Sequence, residues 1–216
     1  MFLKPINTNF GNKYGNNRWI VYSIKINREV YLFSDLEYAN WLLVENDPSI
    51  KYFCEQPTLI EYKIENGKTL KSIPDMYILY DNGIEALREM KYKKDLNTER
   101  GERQSFIQKD WCNKNNYKYE VYTEDLVIEN RVYLSNLKIL SKLNTENNDY
   151  LQNEVKKHLS YKPKTILQLS EEMGLELEFI IEKIFSLIKI NYIHSNIKDL
   201  FLGPLTEVWI NESQIS

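Results

Sequence analysis

The alternation of apolar and polar positions divides the chain into runs of different period. In "SDLEYANWLLVEND" the apolar residues Leu36, Ala39, Leu42 and Leu43 recur at helical spacing. Ser34 stands where an N-cap belongs, and Asp47-Pro48 where a helix must stop. Upstream, "RWIVYSIKI" reads as a first strand, preceded by an aperiodic arm over residues 1–17 that is rich in Asn and Gly. Downstream, "IKYFCEQPTLIEYKIENGKTLKSIPDMYILYDNGIEALREMKYK" reads as consecutive strands punctuated by Gln56-Pro57, Asn66-Gly67 and Asn82-Gly83. A helix is predicted from about Glu99 to Lys114, packing through Phe106, Ile107 and Trp111, and "YKYEVYTED" follows as a short strand. Helix, antiparallel strands, helix, strand is the order of an α/β domain.

After that strand the pattern changes. "RVYLSNLKILSKL" has helical spacing, and "NTENND" carries no apolar residue, which makes it the best linker in the chain. Beyond it, Thr165 is placed to cap "ILQLSEEM" and Gly174 to end it, and "LELEFIIEKIFSLIKI" lines Leu177, Ile180, Ile181, Ile184 and Leu187 along one stripe. Two β-like runs, "NYIHS" and "TEVWI", close the sequence. A helix-turn-helix followed by a hairpin reads as a winged-helix-like domain. Two domains are therefore expected, residues 1–130 and residues 131–216, the second with a linker helix at its start.

Composition changes this picture only in part. A hydrophobic fraction of 43% in 216 residues supports a buried core without staples. A net charge of -3 argues against coating nucleic acid through bulk electrostatics, so any DNA contact must be focal. The second helix of the C-terminal pair sets Glu176, Glu178 and Glu182 against Lys183 and Lys189. That balance favours protein contact there, or DNA contact through the hairpin or through Lys156, Lys157, Lys162 and Lys164. Cys54 and Cys112 have no Cys-x-x-Cys spacing, and His158 and His194 no zinc-ligand spacing, so reduced thiols and no zinc site are expected. No run approaches the ~20 apolar residues of a membrane span, and a cytoplasmic protein without membrane partners is expected.

Candidate chemistry concentrates in "SIPDMYILYDNGIEALREMKY". Glu89 and Lys91, two apart on a strand, share a face. Whether Asp75 joins them depends on register. A two-residue loop at Asn82-Gly83 places Asp75 opposite Met90, on the wrong face; a three-residue loop, with Gly83 left-handed, places it opposite Glu89. In the second register the two carboxylates repel unless a cation lies between them, and such oxygen ligands suit Mg²⁺, with Mn²⁺ as a substitute. The competing account is a cross-strand ion-pair ladder on a solvated face.

These residues, with Glu37 on the preceding helix, resemble the PD-(D/E)xK nucleases of restriction-endonuclease-like fold. More specifically, "FSDLEYANWLLVENDPSIKYFCEQPTLIEY", "SIPDMYILYDNGIEALREMKY", "YEVYTEDLV" and "NLKIL" look like the TnsA-type endonuclease subunit of heteromeric transposases, over about Val30 to Trp209. The resemblance implies a mixed sheet flanked by helices, with a winged-helix-like domain behind it. It implies a Mg²⁺-dependent DNA endonuclease cutting the 5′ ends of a mobile element in double-stranded DNA, beside a DDE-type transposase and an AAA+ ATPase regulator. By position it implies Glu37, Asp75 and Glu89 around the metal and Lys91 as the catalytic lysine, with Gln56 a weaker candidate. Glu37 has a second reading as the third helical residue of a capping box, "SDLE". Lys93, Lys94, Arg100 and Arg103 follow the catalytic strand, where they could hold a DNA backbone. A stand-alone phage or anti-phage defence nuclease, and a non-catalytic scaffold with a slipped hairpin, are the alternatives.

Overall fold

The computed structural model describes residues 2–8, 17–65, 67–143 and 150–210. The chain divides into two compact units, Met1–Glu129 and Asn130–Ser216. No helix among the described residues is long and apolar enough to cross a membrane.

In the first unit β1 (Trp19–Ser23) and β2 (Arg28–Leu32) form an antiparallel hairpin. This corrects the continuous strand expected over "RWIVYSIKI". The chain turns after Ser23 because the buried Glu45 carboxylate accepts hydrogen bonds from the Ile24 and Lys25 amides, at 2.9 and 3.0 Å, and from the Ser23 hydroxyl. Asn27, at φ 52°, completes the turn in the left-handed region that Asn tolerates. Helix α1 (Asp35–Asn46) begins at Ser34, whose hydroxyl accepts the Glu37 amide, and ends at Asp47, ahead of Pro48.

Strand β3 (Ile50–Glu55) leads to a separate small sheet of β4 (Ile60–Lys63) and β5 (Thr69–Ser72). Of the Asn66-Gly67 turn signal, Asn66 lies outside the described residues and Gly67 sits at φ 80°. Then come β6 (Met76–Tyr80) and β7 (Glu85–Met90), the short α2 (Lys93–Leu96), α3 (Glu99–Asn115), β8 (Lys118–Tyr122) and α4 (Asp125–Glu129). The main sheet has the order β3-β6-β7-β8, antiparallel except for the parallel β7/β8 pair joined through α3. It is a mixed sheet with helices on its faces, consistent with a restriction-endonuclease-like fold.

Alternation along β7 sorts its neighbours. Leu87 packs with Ile107 and Cys112 of α3, together with Cys54, Ile60 and Tyr77. Arg88 points to the other face and donates to Asn40 of α1 at 2.8 Å. Phe106, expected in the core of α3, is 56% exposed and only edges the Tyr62 ring, because the helix turns Ile107 and not its neighbour toward the sheet.

The second unit holds α5 (Arg131–Leu140), α6 (Tyr150–His158), β9 (Lys164–Thr165), α7 (Ile166–Met173), α8 (Leu177–Lys189), β10 (Ile193–Ser195) and β11 (Glu207–Ile210). A full capping box at Thr165 and Gln168 starts α7, and Gly174 at φ 63° ends it. Ile180, Ile184 and Leu187 of the α8 stripe are fully buried. The strands form one antiparallel sheet in the order β10-β11-β9. The "NTENND" linker signal falls on residues 144–149, outside those described. Helix α6 went unread in the sequence, where its short apolar stripe is interrupted by Lys156, Lys157 and His158.

Candidate active site

The loop between β6 and β7 decides whether a site exists. Met76 faces Arg88 and Leu79 faces Glu85, the register of a three-residue loop. Gly83 sits at φ 83° and donates its amide to the Tyr80 carbonyl at 3.1 Å, while the Tyr80 amide bonds the Ile84 carbonyl. Asp75, one residue before β6, thereby reaches the Glu89–Met90 edge of β7, and its Oδ2 accepts the Met90 amide at 2.7 Å. The preceding backbone is held as well, since the Asp75 carbonyl accepts the Gln56 amide at 2.9 Å.

Glu89 is 3% exposed and both its oxygens are engaged: Oε1 accepts from Gln104 Nε2 and Oε2 from Gln108 Nε2, each at 2.8 Å. Lys91, 8% exposed, continues the β7/β8 pairing through its amide to the Tyr122 carbonyl. Its ammonium lies 3.7 Å from Glu89 Oε1, 3.1 Å from Gln104 Oε1 and 3.4 Å from the Gly101 carbonyl. Gly101 itself sits close against α2: a Cβ there would meet the Asp95 carbonyl oxygen at 1.9 Å. Glu37 acts as a cap, its Oε2 taking the Phe33 amide at 3.0 Å and its Oε1 the Ser34 hydroxyl at 3.1 Å.

The three carboxylates are short of positive charge. Desolvation pushes Glu37 from an ordinary 4.5 up to about 7; the Phe33 and Ser34 bonds oppose this and Glu89 adds to it. Asp75 keeps a partly exposed surface, yet its carboxyl is set deep among protein atoms. That depth governs its ionisation, so desolvation and then repulsion from Glu89 and Glu37 hold it well above the usual carboxylate range. Glu89 is also raised by desolvation, against the opposing pull of Gln108 and Lys91. Among the described residues no three His, Cys, Asp or Glu side chains are drawn closely enough to encircle an ion. What the cluster offers is the Asp75 and Glu89 pair, with Glu37 held back in its cap.

A cleft of about 380 Å³ opens over Glu37, Glu89 and Lys91 and is lined by Arg100 and Gln104 as well, with Asp75 set behind it. A neighbouring cleft of about 420 Å³ shares Arg100 and Gln104 and adds Gln56, Lys71 and Arg103. The four cations expected to meet DNA thus separate. Arg100 and Arg103 line clefts, whereas Lys93 is paired with Asp125 at 2.5 Å and Lys94 lies over the Tyr92 ring. Gln56, in a left-handed conformation at φ 38°, reaches the cluster only through its backbone bond to Asp75.

Gln104 and Gln108 went unnoticed in the sequence. The signal available was that they share the inward stripe of α3 with Ile107 and Trp111, where an amide must find a buried partner.

The mixed sheet and its flanking helices are those of an α/β domain consistent with a restriction-endonuclease-like fold. Residues 47–124, which include Asp75, Glu89 and Lys91 but not Glu37, match the family model described as TnsA-like endonuclease N terminal. The match supports a nuclease of the TnsA kind. No curated protein matches the chain.

Proposed function

We propose that the protein is a metal-dependent DNA endonuclease in which Asp75 and Glu89 hold a divalent cation and Lys91 serves the reacting phosphate. The observation that carries this reading is the gathering of desolvated carboxylates around a single lysine at the edge of β7, within the segment matched to the TnsA-like endonuclease family. An oxygen donor set with raised proton affinity and too little cationic charge suits a hard ion such as Mg²⁺ or Mn²⁺. When bound, such an ion polarises a phosphodiester and makes water a better nucleophile. The Lys91 ammonium orients that water or offsets negative charge growing on the phosphate. For Glu37 to join, its carboxylate gives up the Ser34 hydroxyl or the Phe33 amide. Arg100 and Arg103, exposed along the clefts, are the preferred phosphate contacts.

The setting follows the same family: cleavage of the 5′ ends of a mobile element, with a DDE-type transposase as partner and an AAA+ ATPase as regulator. In the second unit, the order α6-β9-α7-α8 followed by a β-hairpin supports a winged-helix-like domain. Its α8 presents Glu178 and Glu182, which favours contact with protein over insertion into a groove. The scaffold alternative required Asp75 and Glu89 on opposite faces, and the register removes that requirement.

The test is calorimetric titration of Mn²⁺ into wild type and into Asp75→Asn, both checked for folding. Saturable binding that the substitution abolishes is expected. Equal binding, or none in either protein even with DNA present, overturns the metal reading. Robust cutting by the isolated protein would overturn the transposase setting and leave a stand-alone nuclease.

A further inference from the structure

Lys91 and Glu89 are separated by a neutral group. Their direct contact, 3.7 Å, is longer than a hydrogen bond, yet both are bonded to the same amide. Gln104 Oε1 accepts from Lys91 Nζ at 3.1 Å, and Gln104 Nε2 donates to Glu89 Oε1 at 2.8 Å. The orientation is fixed chemically, because the reverse would set an NH₂ against an ammonium and a carbonyl oxygen against a carboxylate.

We propose that Gln104 is a positioning residue that keeps Lys91 from closing onto Glu89, so that Glu89 Oε1 stays available to a divalent cation and the ammonium stays available to the phosphate. This rests on the metal-dependent reading above. A lysine is a point charge on a flexible four-carbon stem, and in so sheltered a site it would close 3.7 Å to the ~2.8 Å of a charge-assisted bond if nothing intervened. Each Glu89 oxygen accepts one amide N–H and keeps a further lone pair, Oε1 beside Gln104 and Oε2 beside Gln108, which the Ser72 hydroxyl holds in turn at 2.9 Å. Lys91 lies nearest Oε1, so a closing ammonium would take the lone pair that an ion needs on that oxygen.

The arrangement predicts a rescue. Gln104→Met keeps the length of the side chain and removes both hydrogen bonds; Gln104→Ala replaces it should the first misfold. Either is expected to weaken Mn²⁺ binding about 10- to 100-fold, the usual loss when a group supporting a ligand is removed. Adding Lys91→Ala on the same background is expected to restore binding to within a few-fold of wild type, because the competing ammonium is gone. Calorimetry of wild type and the single and double variants, after matched melting curves, reads this directly. Wild-type affinity in the Gln104 variant overturns the proposal, and so does a double variant as weak as the single. Absence of Mn²⁺ binding in wild type itself would instead fell the metal reading, and this one with it.

Discussion

Arg88 and Glu89 are neighbours on one strand, and the protein treats their charges in opposite ways. On the α1 face, Arg88 is 4% exposed and fully met: Glu120 at 2.7 Å across the parallel β7/β8 pair, Asn40, the Tyr80 hydroxyl, and the Tyr122 ring 4.2 Å below. Burial pushes the Glu120 carboxyl up, but Lys118 and Arg88 together hold it below its ordinary value. On the α3 face, Glu89 shares one lysine with Asp75, Glu37 at the start of α1 adds a third carboxyl that Glu89 repels, and all three are displaced upward. One cluster is compensated by its neighbours; the other leaves its carboxyls displaced upward, which is the ground for the ion proposed there. Burial alone therefore does not mark a candidate site; burial that the neighbours leave uncompensated is the more telling sign.

The sharpest way to break the comparison is Arg88→Ala, which leaves Lys118 as the cation beside the buried Glu120 and removes the bonds to Asn40 and the Tyr80 hydroxyl. A loss of about 3–5 kcal/mol is expected, read as a lower urea midpoint. Gly101→Ala comes next. Its Cβ would strike the Asp95 carbonyl, so the corner between α2 and α3 must open, at about 1–3 kcal/mol of stability measured in the same way. On the charge-poor face the sign reverses. Asp75→Asn keeps an acceptor for the Met90 amide and removes a carboxyl whose charged form burial and its neighbours disfavour, so the ion-free protein is expected to gain about 0.5–2 kcal/mol while losing Mn²⁺ binding.

The smallest effect is one of pH. A carboxyl whose folded pKa is raised favours folding below its ordinary value, and that contribution is lost as pH rises through the folded one. For Glu37 the window runs from 4.5 to about 7, so the metal-free protein should melt higher at pH 5 than at pH 8. Glu37→Gln, which keeps a capping-box residue, should flatten that slope, and a slope unchanged by it would show that Glu37 is not its source.

Much of this was legible where the deciding chemistry is local. Ser34, Thr165 and Gly174 mark helix ends through bonds to residues within one turn, and all three mark them in the structure. The hairpin was half legible: Gly83 permitted the register that forms, but the sequence allowed two, and packing on both faces of β7 chooses between them. What escaped depends on distant partners. The break after Ser23 is made by Glu45, far along the chain, and nothing inside "RWIVYSIKI" announces it. Glu37 looked like cap or ligand, and its two oxygens are occupied as a cap. Gln104 and Gln108 matter because of what faces them across α3, which no window of the sequence contains.

The loop at Asp81-Asn82-Gly83 has a genetic consequence. Deleting the single codon for Asn82 leaves every strand, helix and core residue encoded as before, yet a loop shortened by one residue sends Asp75 to the opposite side of the sheet from Glu89. Because Met76, Tyr77 and Ile78 are buried on the same strand, a lower denaturant midpoint is expected together with the loss of Mn²⁺ binding. The pair proposed to hold the metal can thus be parted by three nucleotides that lie outside every residue of the site.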